Sequence, residues 1–90
     1  MYEVRYTKKA LKTLKKIEKG KRGMIVAWIE KNLVGCENPR QYGKPLDGSH
    51  KGKWRYRKGD YRIICDISDN EVLILVLHIG DRKDVYRVLK

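Results

Sequence analysis

Acidic residues, cysteines and long apolar runs are all scarce in this sequence. Eleven Asp and Glu face 22 Lys and Arg, a formal net charge of +11 over 90 residues. That imbalance excludes an ordinary small-metabolite enzyme as the default reading and points to a polyanionic partner. The longest apolar run, Val72 to Leu77, is far too short to span a bilayer. Met1 to Tyr6 holds no apolar signal-peptide core, so a soluble cytoplasmic protein without a membrane partner is expected. The two cysteines, Cys36 and Cys65, permit at most one bridge. In a reducing compartment they are expected as free thiols packed like small apolar groups. No two of Cys36, His50, Cys65 and His78 stand at a short ligand spacing, so neither a metal nor another cofactor is expected. A glycine-rich nucleophile elbow, an internal repeat and a low-complexity tract are likewise missing. A chain of 90 residues reads as one domain, 1–90, whose apolar residues fall in periodic blocks rather than in the dilute pattern of disorder.

Those blocks set an order of elements. Tyr2, Val4 and Tyr6 alternate with Glu3 and Arg5, the period of a half-buried strand. Thr7 is placed to cap a helix with Ala10, Leu11, Leu14 and Ile17 on one stripe and lysines over the rest, stopped by Gly20. A second helix from near Lys21 carries Met24, Ile25, Trp28, Ile29 and Leu33 and ends at Gly35. Residues 36–52 are too broken by Gly and Pro for a long element. Strand signals follow at Lys53 to Arg57, Tyr61 to Ile67 and Glu71 to Ile79. The last is apolar on both faces, so it is expected to be central and covered on both sides. Arg82 to Lys90 closes the chain as a helical turn or an added strand. The predicted fold is α+β, in the order β-α-α-β-β-β, with a helical hairpin packed on a small, mostly antiparallel sheet and a short C-terminal segment.

The middle hairpin says most about function. In Lys53-Trp54-Arg55-Tyr56-Arg57 the odd positions are cationic and the even ones aromatic. Whether the turn centres on Lys58-Gly59 or Gly59-Asp60, even residues of the first strand face odd residues of the second. Lys53, Arg55, Arg57 and Arg62 therefore share one face, and Trp54, Tyr56, Tyr61 and Ile63 the other. Like charges opposite one another destabilise a sheet, and a bound anion would offset that, with arginine's planar fork suited to phosphate oxygens. A basic surface that merely deters strand-to-strand aggregation is the plainer reading. After the buried last strand, Gly80 permits a sharp turn from which Arg82 and Tyr86 reach back over the sheet edge. Tyr86 can stack on a base, orient a phosphate or transfer a proton, or simply pack.

Taken together, Gly52-Lys53-Trp54-Arg55-Tyr56-Arg57, Gly59-Asp60-Tyr61-Arg62 and Gly80-Asp81-Arg82-Lys83-Asp84-Val85-Tyr86 resemble the RelE/ParE superfamily of toxins of type II toxin–antitoxin systems. The likeness spans nearly the whole chain and is closer to the RelE branch. It implies a ribosome-dependent endoribonuclease that cleaves mRNA in the A site, against 16S rRNA, without a metal, and that a cognate RelB-like antitoxin holds inactive. By position it assigns catalytic roles to Lys53, Arg55, Arg62, Arg82 and Tyr86, with Lys51, Arg57, Lys83 and Arg87 as accompanying RNA-binding cations. Two departures matter. Arg55 stands where the best-known members carry a second lysine, and arginine is a poor base. That leaves Lys53, Tyr86 or an orienting mechanism. Asp81 stands where several relatives carry histidine or lysine.

The residue types fit this chemistry on their own terms. RNA supplies its own nucleophile, the 2′-hydroxyl, and the reaction needs orientation plus cations aimed at the phosphorane oxygens. His50 falls in a loop and His78 at a strand end, so the usual flanking histidines are missing and free RNA should be cut slowly. The rival readings are a ParE-like inhibitor of DNA gyrase without enzymatic activity and a plain nucleic-acid-binding module.

Overall fold

Alternation of exposed Glu3 and Arg5 with half-buried Val4 and Tyr6 builds the first strand, β1 (Glu3–Tyr6), as its period predicts. The computed structural model describes residues 1–81. Helix α1 (Lys8–Lys16) follows directly, capped by Thr7, whose hydroxyl accepts from the Ala10 amide at 3.0 Å. The helix stops earlier than the sequence suggests, because Ile17 is already extended and Glu18 caps α2 (Lys19–Asn32). The Glu18 carboxylate accepts from the amides of Gly20 and Lys21 at 2.8 and 3.1 Å. Those two bonds hold it below the usual carboxylate range. Gly20 is thus inside the first turn of α2 and not the stop between the helices.

Three further strands, β3 (Trp54–Lys58), β4 (Tyr61–Ser68) and β5 (Leu73–Asp81), form the antiparallel meander. A fourth, β2 (Lys44–Pro45), is a two-residue strand in the segment that the sequence marks as loop. Lying inside the segment 36–52, it pairs with Arg55 and Trp54 of β3. The sheet order is β1-β5-β4-β3-β2, with β1 parallel to β5 and the other neighbours antiparallel. The connection that lets β1 and β5 run the same way passes through the helical hairpin and then through β2, β3 and β4.

Both helices lie on one face of the sheet. Ala10 and Leu14 of α1 and Ile25, Ile29 and the capping Leu33 of α2 close on Tyr56, Ile63, Cys65, Ile74, Val76 and Ile79. Leu11 and Met24, expected within the apolar stripes, are 43% and 57% exposed, so each helix packs through a narrower strip than its composition offers. Cys36 and Cys65 are both free, and burial pushes the Cys65 thiol far up, keeping it protonated. Between Ile64 and Cys65 the register of β4 with β5 shifts: Ile64 faces His78 but Cys65 faces Val76, so Leu77 is a bulge. Thr7 satisfies the bulge, its hydroxyl donating to the Leu77 carbonyl at 3.0 Å while also capping α1. β5 is an interior strand, between β1 and β4, and on its face away from the helices His78 and Gly80 are buried. Leu73, Leu75 and Leu77 remain half-buried. Among the described residues no helix is long and apolar enough to cross a membrane.

Candidate functional site

The turn between β3 and β4 is Gly59-Asp60, with Lys58 opposite Tyr61 and Gly59 at φ 59°. That register puts Trp54 against Cys65 and Tyr56 against Ile63 on the helix side. On the other side Arg57 stands directly opposite Arg62, and Arg55 opposite Ile64. Continued one step, the same register brings Lys53 to Asp66, and the ammonium and carboxylate pair at 3.6 Å, both half-exposed. The partnership of Lys53 with Asp66 follows from the same alternation, an odd residue of the first strand facing an even residue of the second.

The cations on this face differ in exposure. Arg57 is exposed, Lys53 and Arg55 are partly covered, and Arg62 is only 9% exposed, its guanidinium reaching the Tyr61 carbonyl at 3.5 Å. Gly80 of β5 lies opposite Arg62, so a side-chain-free position flanks the buried guanidinium. From Lys53 to Arg57 the row covers roughly 13 Å of strand, at about 3.3 Å per residue. Lys51 is exposed in the turn leading into β3. Arg82, Lys83, Tyr86 and Arg87, with the rest of the segment from Arg82, lie outside the described residues, and β5 carries the chain as far as Asp81, opposite Tyr61.

The two histidines are apart from this row in character. His50 belongs to a short 3-10 turn before β3. His78 is 4% exposed, its Nδ1 finds no hydrogen-bond partner among the described residues, and burial together with the nearby Lys9 charge pulls it below the ordinary histidine range. It is thus kept neutral. Among the described residues no group of three or more His, Cys, Asp or Glu side chains gathers as a metal site would.

Residues 4–86 match the family described as the ParE toxin of type II toxin–antitoxin systems. Toxin RelG of Mycobacterium tuberculosis is 30% identical over 86 residues, covering 96% of this chain and 97% of that toxin. The chain belongs to the RelE/ParE family of type II toxin–antitoxin toxins. Toxin RelE of the same organism is also 30% identical, over 97% of this chain and 88% of its own length. In three dimensions this RelE-like toxin resembles a chain of the Mycobacterium tuberculosis RelBE2 toxin–antitoxin complex, with a TM-score of 0.81 and 28% identity over 90% of this chain and 91% of that one. The fold is shared with a chain of the archaeal RelE–RelB complex of Pyrococcus horikoshii, at a TM-score of 0.72 and 24% identity over 91% and 96% of the two chains.

Proposed function

We propose that this toxin is a ribosome-dependent, metal-free endoribonuclease that cleaves mRNA in the ribosomal A site, on 16S rRNA, and so inhibits translation. The observation that carries the reading is the row of cations on β3 and β4, with Arg57 and Arg62 in register, Arg55 beside them and Lys53, paired with Asp66, at its end. As Cα partners across the ladder, Arg57 and Arg62 put like charges on one face, where arginine's planar fork suits an anion. A phosphodiester is such an anion.

In the reaction the ribose 2′-oxygen attacks the adjacent phosphorus and the bond to the 5′-oxygen breaks. The products are a 2′,3′-cyclic phosphate and a 5′-hydroxyl, the proton lost from one oxygen being supplied to the other. Lys53, Arg55 and Arg62, with Arg82, stabilise charge on the phosphorane oxygens. Arg55 stays protonated and takes no part in proton transfer. Lys53, oriented by the Asp66 carboxylate, suits charge stabilisation, which leaves Tyr86 to handle a proton or orient the nucleotide. Arg57, Lys51, Lys83 and Arg87 hold flanking backbone. With so weak an acid–base set, the ribosome supplies the alignment.

The cognate partner is a RelB-like antitoxin, a reading supported by the likeness to chains solved in complexes with RelB. Ribosomal mRNA as substrate places the toxin in the cytoplasm. The match to the ParE toxin family favours one other reading, inhibition of DNA gyrase without catalysis. Translation with purified ribosomes and a defined mRNA separates the two. New mRNA ends within A-site codons support cleavage, whereas intact mRNA together with stalled gyrase complexes supports the alternative.

A further inference from the structure

The strand that carries the cationic row also borders a recess of different character. β2 accompanies β3 only at Trp54 and Arg55, so toward Lys58 the outer edge of β3 has no neighbouring strand among the described residues. There a recess of about 300 Å³ opens between Trp28 of α2, the Tyr42-Gly43-Lys44 corner, and Arg55 and Arg57. Its size is at the small end of ligand sites. None of the described residues lining it is acidic.

The rings here are held in place. Trp28 meets Tyr42 edge-on at 6.0 Å and leans on Tyr56 at 5.6 Å. Tyr56 is fully buried, its hydroxyl donating to the Pro39 carbonyl. The Trp54 indole N–H donates to the Tyr42 carbonyl at 2.7 Å. Gly43, at φ 79°, presses so closely on β3 that a Cβ would come within 2.2 Å of the Arg55 carbonyl oxygen, a position only glycine fills. Yet Tyr42 itself is 38% exposed. A fixed, partly exposed aromatic ring beside Lys44, Arg55 and Arg57 has the two elements of single-stranded nucleic-acid binding, a stacking platform and an electrostatic groove.

We propose that this recess binds one nucleotide of single-stranded RNA, its base against Tyr42 and Trp28 and its phosphate on Lys44, Arg55 and Arg57, next to the nucleotide at the cationic row. The inference rests on the ribonuclease reading for the identity of the polymer. Because Arg55 and Arg57 belong to both places, a strand crossing the row continues into the recess without leaving the protein.

The test is equilibrium binding of a labelled, uncleavable 2′-O-methyl oligoribonucleotide to the full-length toxin, alongside an otherwise identical strand with abasic positions. Tyr42→Ala should weaken binding of the complete strand roughly 5- to 100-fold, the range of one lost base stack. Tyr42→Phe should restore it, and on the abasic strand the two variants should match the parent. Lys44→Ala, which leaves the rings intact, should weaken both strands and lower the salt slope by about one. Equal affinity of parent and Tyr42→Ala for the complete strand, or an equal loss on the abasic one, overturns the proposal. Failure of the ribonuclease reading has another signature: base-dependent loss at Tyr42 with no ribosomal cleavage by the parent.

Discussion

The two faces of this sheet are built to opposite ends. Toward the helices, Tyr56, Ile63, Cys65, Ile74, Val76 and Ile79 are fully buried in one apolar cluster. On the other side two of the three strands involved, β3 with the residue leading into it and β4, carry Lys53, Arg55, Arg57 and Arg62, and Arg57 stands against Arg62. Alternating side chains let one backbone ladder serve both. Stability and proposed chemistry are thus one residue apart in sequence and on opposite sides in space. Substitutions on the two faces should separate stability from activity.

Ile63→Ala should show the largest effect on folding, a loss of about 2–5 kcal/mol read by denaturant unfolding, because Ile63 is fully buried among rigid neighbours. A loss below about 1 kcal/mol would break the comparison on the core side. Lys53→Ala should do the reverse. Ribosome-dependent cleavage should fall roughly 10²–10³-fold, as for a lost charge-stabilising donor. Stability should change by only about 0–1 kcal/mol, since the pair with Asp66 is half-exposed. A large fall in melting temperature would make Lys53 a structural residue instead.

Smaller effects sharpen the picture. Val72 has φ 52° in the turn between β4 and β5, a conformation that a β-branched residue tolerates poorly. Val72→Gly should raise stability by roughly 1 kcal/mol, seen as a higher melting temperature. Arg57→Ala removes one of two facing cations, so stability should hold or rise by a few tenths of a kcal/mol while RNA binding weakens. Least of all should be the acid effect of Asp69, which accepts from Tyr2 at 2.6 Å and from Arg40 at 2.9 Å. The Arg40 bond, then the Tyr2 bond, holds its carboxyl below the ordinary range. Its contribution is therefore present above an unfolded value of about 3.9 and is lost as the pH falls below that. Melting curves from pH 6 down to 3 should decline less steeply in Asp69→Asn than in the parent, and identical curves would remove Asp69 from the acid response.

Much of this was legible in the sequence where a single physical rule decides. Period-two alternation at 53–57 and a short glycine turn determine which side chains share a face, whatever the turn's exact centre. Thr7 as a cap follows from its type and position. Other features arise only from contacts between distant segments. β2 exists because Gly43 lets the loop press on β3, and the bulge at Leu77 exists because Thr7, some seventy residues earlier, supplies its hydrogen bond. The cap at Glu18 carries no sequence signal, because glutamate is not among the favoured capping residues. The recess beside Tyr42 was equally invisible, since it joins a helix, a loop corner and a strand edge. The cationic row was legible as far as Arg62. The roles of Arg82 and Tyr86 rest on resemblance.

The most direct test of the central claim uses ribosomes programmed with an mRNA that carries a single 2′-deoxynucleotide at the scissile position of the A-site codon. The account predicts that the all-ribose mRNA is cut to a 2′,3′-cyclic phosphate end while the deoxy-substituted strand stays whole. Cleavage of both strands alike, or of neither, would contradict it.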